Sequence, residues 1–137
     1  MKFWIKNLLV KKELLKDDPS MDMLAVKTYS SDTTINIKNS TMALINCGGV
    51  EANAGGTINL ESVIIATSGH ARLSFIETAI AVSGNGTVNV NGGKYSSDKY
   101  CLHIYSSGGT INVTDGEFTA ETVIEFTLDK IPYPDAV

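Results

Sequence analysis

The chain has two cysteines, three prolines, two histidines, one tryptophan and a single arginine, Arg72. Each shortage closes off a class of reading. His70 and His103 are too few for an imidazole-based metal cluster, and no G-x-S-x-G turn presents a nucleophile. One arginine in a chain of net charge −4 leaves no basic stripe of the kind that grips nucleic acid. No apolar run approaches the length of a membrane span. The opening MKFWIKNLLVKKELLK has no uninterrupted apolar stretch longer than three residues, such as Leu8-Leu9-Val10. It therefore lacks the apolar region and small-residue cleavage site of a secretory signal, and a cytoplasmic location is expected.

What the chain has in abundance is repetition. The pattern T-[IV]-N-[ILV] occurs as Thr34-Ile35-Asn36-Ile37, Thr57-Ile58-Asn59-Leu60, Thr87-Val88-Asn89-Val90 and Thr110-Ile111-Asn112-Val113, with starts 23, 30 and 23 residues apart. Three copies follow glycine turns, at Gly55-Gly56, Gly84-Asn85-Gly86 and Gly108-Gly109, and the first follows Ser30-Ser31-Asp32-Thr33. Apolar and polar residues alternate within each copy, which describes a strand with one buried face. So short a unit cannot bury that face alone, and the copies must stack. A 23-residue unit holds roughly three short strands, with equivalent strands about 4.8 Å apart in parallel register. A hydrophobic content of 43% over 137 residues is enough for one continuous core, and twelve glycines suit its tight turns.

The correspondence extends past the motif. Tyr29-Ser30-Ser31 precedes Thr34 at the offset at which Tyr105-Ser106-Ser107 precedes Thr110, with Val26 and Leu102 matched further upstream. Asn91-Gly92-Gly93-Lys94-Tyr95 and Thr114-Asp115-Gly116-Glu117-Phe118 each give a glycine turn followed by an aromatic. Over approximately residues 22–127 the chain resembles the right-handed parallel β-helix family, whose small members carry G-G-T-I-N-V-x-x-G-x-[FY] coils. The resemblance implies an all-β solenoid of about four to five coils. It also implies the settings in which such coils occur: phage tail proteins, bacterial surface proteins and polysaccharide-active enzymes.

The two ends depart from the repeat. Phe3, Trp4, Leu8, Val10, Leu14 and Leu15 make a broad apolar side stopped by Asp17-Asp18-Pro19, so a capping α-helix over 1–20 is expected, laid across the open first coil. Residues 1–16 carry five lysines against one glutamate, +4, leaving −8 for the rest of the chain. A membrane-surface anchor is the alternative for that segment, and the poor clustering of its lysines on one face argues against it. The β-helix is expected over 21–137, in one domain with the cap. Its tail, Leu128-Asp129-Lys130-Ile131-Pro132-Tyr133-Pro134, abandons the pattern, and its prolines would blunt the last edge unless the terminal coil serves as an oligomer surface.

Three sets of residues are candidates for function. The second interval is seven residues longer than its neighbours, and the excess maps to Ser68-Gly69-His70-Ala71-Arg72-Leu73-Ser74-Phe75. Excursions from a repeat gather on one face and commonly bind, which makes His70, Arg72 and Phe75 the candidate partner-binding residues. Thr34, Thr57, Thr87 and Thr110 form one outward column and Asn36, Asn59, Asn89 and Asn112 a second, about 6.6 Å away along the strand. Such rows can order water or sugar, and they also stabilise parallel ladders by bonding to each other. Asp115 and Glu117 are spaced to share a strand face, as a glycosidase pair or calcium site would. The sugar platforms and basic partner such chemistry needs are missing, so no enzymatic activity, cofactor or metal is expected. His103, between Leu102 and Ile104, should turn outward to solvent. Cys47 and Cys101 fall two coils apart, about 9.6 Å, too far for a disulfide and so expected as thiols.

These features suit a non-catalytic interaction protein of phage or mobile-element type that binds, and in doing so inhibits, a host defence protein in the cytoplasm. The alternative is a structural, receptor- or glycan-binding segment of a phage tail or bacterial surface fibre, on a virion or cell surface. A polysaccharide-active enzyme remnant ranks third. A protein partner is expected, a glycan is the second choice, and neither nucleic acid nor a membrane is.

Overall fold

A computed structural model of the chain describes residues 2–6, 9–13, 24–69 and 78–127. These form twelve strands, and among the described residues there is no helix. The strands fall into five layers. The first holds β1 (Lys2–Lys6), β2 (Leu9–Glu13) and β3 (Leu24–Lys27), and the second β4 (Thr34–Lys38), β5 (Thr41–Ile45) and β6 (Gly48–Ala52). In the third, β7 (Thr57–Ser68) runs through two arms and β8 (Thr78–Val82) supplies the third arm. The fourth is β9 (Gly86–Ser97) with β10 (Tyr100–Tyr105), and the fifth β11 (Gly109–Thr119) with β12 (Thr122–Thr127). Every pairing is parallel and joins one layer to the next, giving a seven-stranded sheet from the first two arms and a five-stranded sheet in the order β12-β10-β8-β6-β3.

The repeat motifs align as the alternation requires. Thr34, Thr57, Thr87 and Thr110 share one register position and Asn36, Asn59, Asn89 and Asn112 another. Between them, Ile35, Ile58 and Val88 point into the core, as do Ile37, Leu60 and Val90, all at most 8% exposed. The second arm adds Met42, Ile65 and Tyr95, and the third Val50, Ile80 and Leu102. Each large apolar side chain so buried contributes about 1.5–3 kcal/mol, which makes these columns the main source of cohesion. All-strand and parallel throughout, the arrangement is compatible with a β-helix-like fold.

The expected fold class needs correction. A solenoid closed by an α-helix over 1–20 is replaced by two parallel sheets, and the start of the chain is part of them. Lys2–Lys6 pairs with β4, Phe3 opposite Ile35 and Ile5 opposite Ile37, while Leu9–Glu13 pairs with β5. The reason is local. Phe3 and Ile5 hold the positions that Ile35 and Ile37 hold in T-I-N-I-K, and β1 and β2 lie along β4 and β5, whose backbone edges would otherwise be unpaired. A helical stripe broken at Asn7 and Lys11 offers less than this pairing. The C-terminal tail, 128–137, lies outside the described residues.

Corners between arms recur at matching places. Between the first and second arms the chain passes through left-handed conformations at Asn39 (φ 51°), Ser62 (φ 54°) and Gly92 (φ 81°) in successive layers. Gly93, with φ 114°, is required as glycine for a second reason, since a Cβ there would sit 2.0 Å from the Val63 carbonyl oxygen. Cys47 and Cys101 are both buried thiols with no disulfide between them, as their separation by two layers demands.

Candidate functional site

The corner between the second and third arms is where the layers differ. It spans two residues in the second layer (46–47), the fourth (98–99) and the fifth (120–121). In the third it spans nine, 69–77, and in the first ten, 14–23. The two long corners therefore leave from the same edge of the molecule, two layers or about 9.6 Å apart at their bases. His70, Arg72 and Phe75 belong to the third-layer corner and lie outside the described residues, as do 14–23. The second long corner is not apparent from sequence, because 14–20 fall within the helix expected over 1–20 and 21–23 within the β-helix expected over 21–137. Its signal was the 32-residue offset between K-F-W-I-K and T-I-N-I-K.

The base of the third-layer corner is well defined. The Ser68 carbonyl accepts from the Asn46 amide at 2.8 Å, and the Gly69 amide donates to the Asp98 carboxylate at 2.9 Å. Gly69 has φ 87°, so the chain leaves the strand through a conformation that favours glycine. On either side, Thr67 and Thr78 are buried, and their hydroxyls make no hydrogen bond among the described residues.

A polar cluster occupies the outward side of the five-stranded sheet. Glu51, 8% exposed, lies 3.6 Å from the Lys27 ammonium and accepts from the Ser83 hydroxyl at 2.6 Å. Here the expectation for His103 fails. It does turn away from the core column, yet it is 1% exposed, stacked on Tyr105 at 4.2 Å and edge-on to Tyr100 at 5.2 Å. Burial pushes its pKa down to about 4, so the imidazole is neutral at neutral pH. Burial, helped by the Glu51 charge, pushes the Tyr105 phenol up to about 12. An enclosed imidazole cannot reach an external substrate, and its packing between two tyrosines accounts for it structurally.

Compared with known proteins, the chain matches no family model, no curated protein and no solved structure. The case for function rests on its own residues.

The Thr and Asn columns are brought together as expected, and they differ in kind. Asn59 Nδ2 donates to Asn36 Oδ1, Asn89 Nδ2 to Asn59 Oδ1 and Asn112 Nδ2 to Asn89 Oδ1, each at 2.8 Å. The Asn column thus spends its amides on holding layers together. The Thr34, Thr57, Thr87 and Thr110 hydroxyls form no comparable chain. Beside them the Lys38–Glu61 pair, 3.1 Å apart, is open to solvent and contributes at most about 1 kcal/mol. Asp115 and Glu117 line a shallow open depression of about 250 Å³ with Gly93, Lys94 and Gly116. No group of three or more metal-ligating side chains occurs among the described residues.

Proposed function

We propose that the protein is a non-catalytic binding module whose partner, a protein, is held by the two long corners on one edge of a β-helix-like scaffold. The observation that supports this reading is the shared edge. Three layers close the corner in two residues, which shows that nothing in the stack requires more, while the first and third spend ten and nine. Loops on a rigid frame are where recognition residues concentrate. The third-layer corner supplies His70, Arg72 and Phe75, the imidazole, cation and aromatic ring of an interface anchor, and the first supplies Asp17, Asp18 and Asp22. A phage or mobile-element protein that occupies a host defence protein in the cytoplasm fits this chemistry.

The test is capture from a bacterial lysate by the wild-type chain, by Arg72→Ala with Phe75→Ala, and by a variant whose residues 69–77 are replaced by the two-residue corner Asp98-Lys99. A partner held by the wild type alone, with the thermal midpoint of all three within a few degrees, supports the reading. Equal capture by all three overturns it. A second reading, a glycan-binding fibre segment, draws on the Thr column, a half-buried strip that faces outward with its layers about 4.8 Å apart. Glycan-array binding that survives the corner replacement and is lost in Thr57→Val with Thr87→Val would favour it.

A further inference from the structure

The two ends of the stack are complementary, and we propose that copies of the chain associate head to tail, with the first layer of one copy continuing the fifth layer of the next. Each end presents an edge: among the described residues β1 pairs only with β4, β11 only with β9 and β12 only with β10. Each end also exposes apolar side chains at core register positions. Phe3 is 45% exposed at one end, and Val113, Ile124 and Phe126 are 44%, 53% and 57% exposed at the other. An open parallel edge beside uncovered core positions is the surface on which another layer adds.

What selects a second copy of this chain is the charge carried by the columns. The first-layer strands hold Lys2, Lys6, Lys11, Lys12 and Lys27 against Glu13, whereas residues 109–127 hold Asp115, Glu117, Glu121 and Glu125 and no basic residue. Continuing each column by one layer matches these charges position by position. Lys6 shares a column with Lys38, Glu61, Asn91 and Asp115, so the next copy's Lys6 arrives on Asp115. Lys27 shares one with Glu51, Ala81, His103 and Glu125, and so arrives on Glu125. Both contacts are of a kind made inside the chain, Lys38 on Glu61 at 3.1 Å and Lys27 on Glu51 at 3.6 Å, with the order of acid and base along the stack reversed. Ile5 falls on Val113 by the same rule, continuing an apolar column. The Asn ladder ends on the Asn112 carbonyl, an acceptor, and the residue arriving there is Trp4, whose indole can only donate. In the reverse order, tail against tail, Asp115 and Glu125 would face like charges.

A head-to-tail contact is open-ended, so the expected product is a concentration-dependent series rather than a closed dimer. Ile5→Cys with Val113→Cys tests the register directly. Within one chain these positions are four layer spacings apart, about 19 Å, beyond any disulfide, while across the proposed contact they are directly opposed. Mild oxidation of the double variant should give a ladder of covalent multimers, and mixing the two single variants should give a covalent dimer that neither forms alone. Sedimentation of the wild type should show association that weakens at least about fivefold from about 0.05 M to about 0.5 M salt. Lys6→Glu and Asp115→Lys should each weaken it, and their mixture should restore it. Absence of the ladder, a Val113→Cys homodimer as abundant as the mixed one, or mixtures no better than either charge variant would overturn the proposal.

Discussion

The Gly69 amide donates to the Asp98 carboxylate at 2.9 Å, so a fourth-layer side chain fastens the root of the third layer's long corner. Asp98→Ala should cost little global stability, about 1 kcal/mol, since the bond is exposed. It should nevertheless accelerate hydrogen exchange at Gly69 and reduce partner capture. Gly69→Ala should cost more, about 1–3 kcal/mol, because alanine is strained at φ 87°. The added Cβ would also run into the Asn46 side-chain oxygen, which adds to the cost. Chemical denaturation of the two variants should show this order.

Acid should destabilise the fold through His103. Its imidazole protonates at about pH 4 when folded and near 6.5 when unfolded. Between those values the unfolded chain binds more protons, so stability is full above about pH 6.5 and is lost as pH falls toward 4, by up to about 3 kcal/mol. Denaturation curves at pH 7 and 5.5, above the range of most carboxylates, should show the wild type losing stability. His103→Phe should lose much less over the same interval.

Interior and terminal rungs of the Asn ladder should differ in worth. Asn59 makes two amide bonds to its neighbours and Asn112 one, the latter exposed. At about 0.5–1.5 kcal/mol per bond, Asn59→Ala should cost roughly twice what Asn112→Ala does, read from urea midpoints.

Deleting residues 1–13 should leave β4 and β5 as open edges and uncover Ile35, Ile37, Met42 and Leu44, which are 1–8% exposed in the intact chain. The truncated chain should aggregate when expressed. A soluble truncation with an unchanged thermal midpoint would show that the first layer is dispensable.

The stacked columns were legible because the sequence states them twice: once in the alternation of Ile35, Ile37 and their equivalents, and again in the spacing that brings the copies into register. The first layer was not legible, since K-F-W-I-K shares only Ile5 and Lys6 with T-I-N-I-K, Trp4 breaks the alternation, and the Leu and Lys residues that follow also favour a helix. Pairing with an open edge, a tertiary effect, decided against local propensity. His103 was placed on the correct side of its strand, but alternation says which way a side chain points and nothing about Tyr100 and Tyr105 closing over it. Of the candidate site, the excess length after Ser68 was visible in the spacing, whereas the equivalent excess at 14–23 becomes visible only once β1 and β3 are known to belong to one layer.

Every strand pairing among the described residues joins positions 22 to 32 apart, from Ile80 with Leu102 to Lys2 with Thr34. No step of folding therefore has to close a loop longer than about one layer, and the entropy of closure, which grows only with the logarithm of loop length, is nearly the same at each step. Growth can start at any adjacent pair of layers and spread both ways, each new layer offering a finished template to the next. Such a chain should fold quickly for an all-parallel protein, and its rate should hardly change if a layer is added or removed.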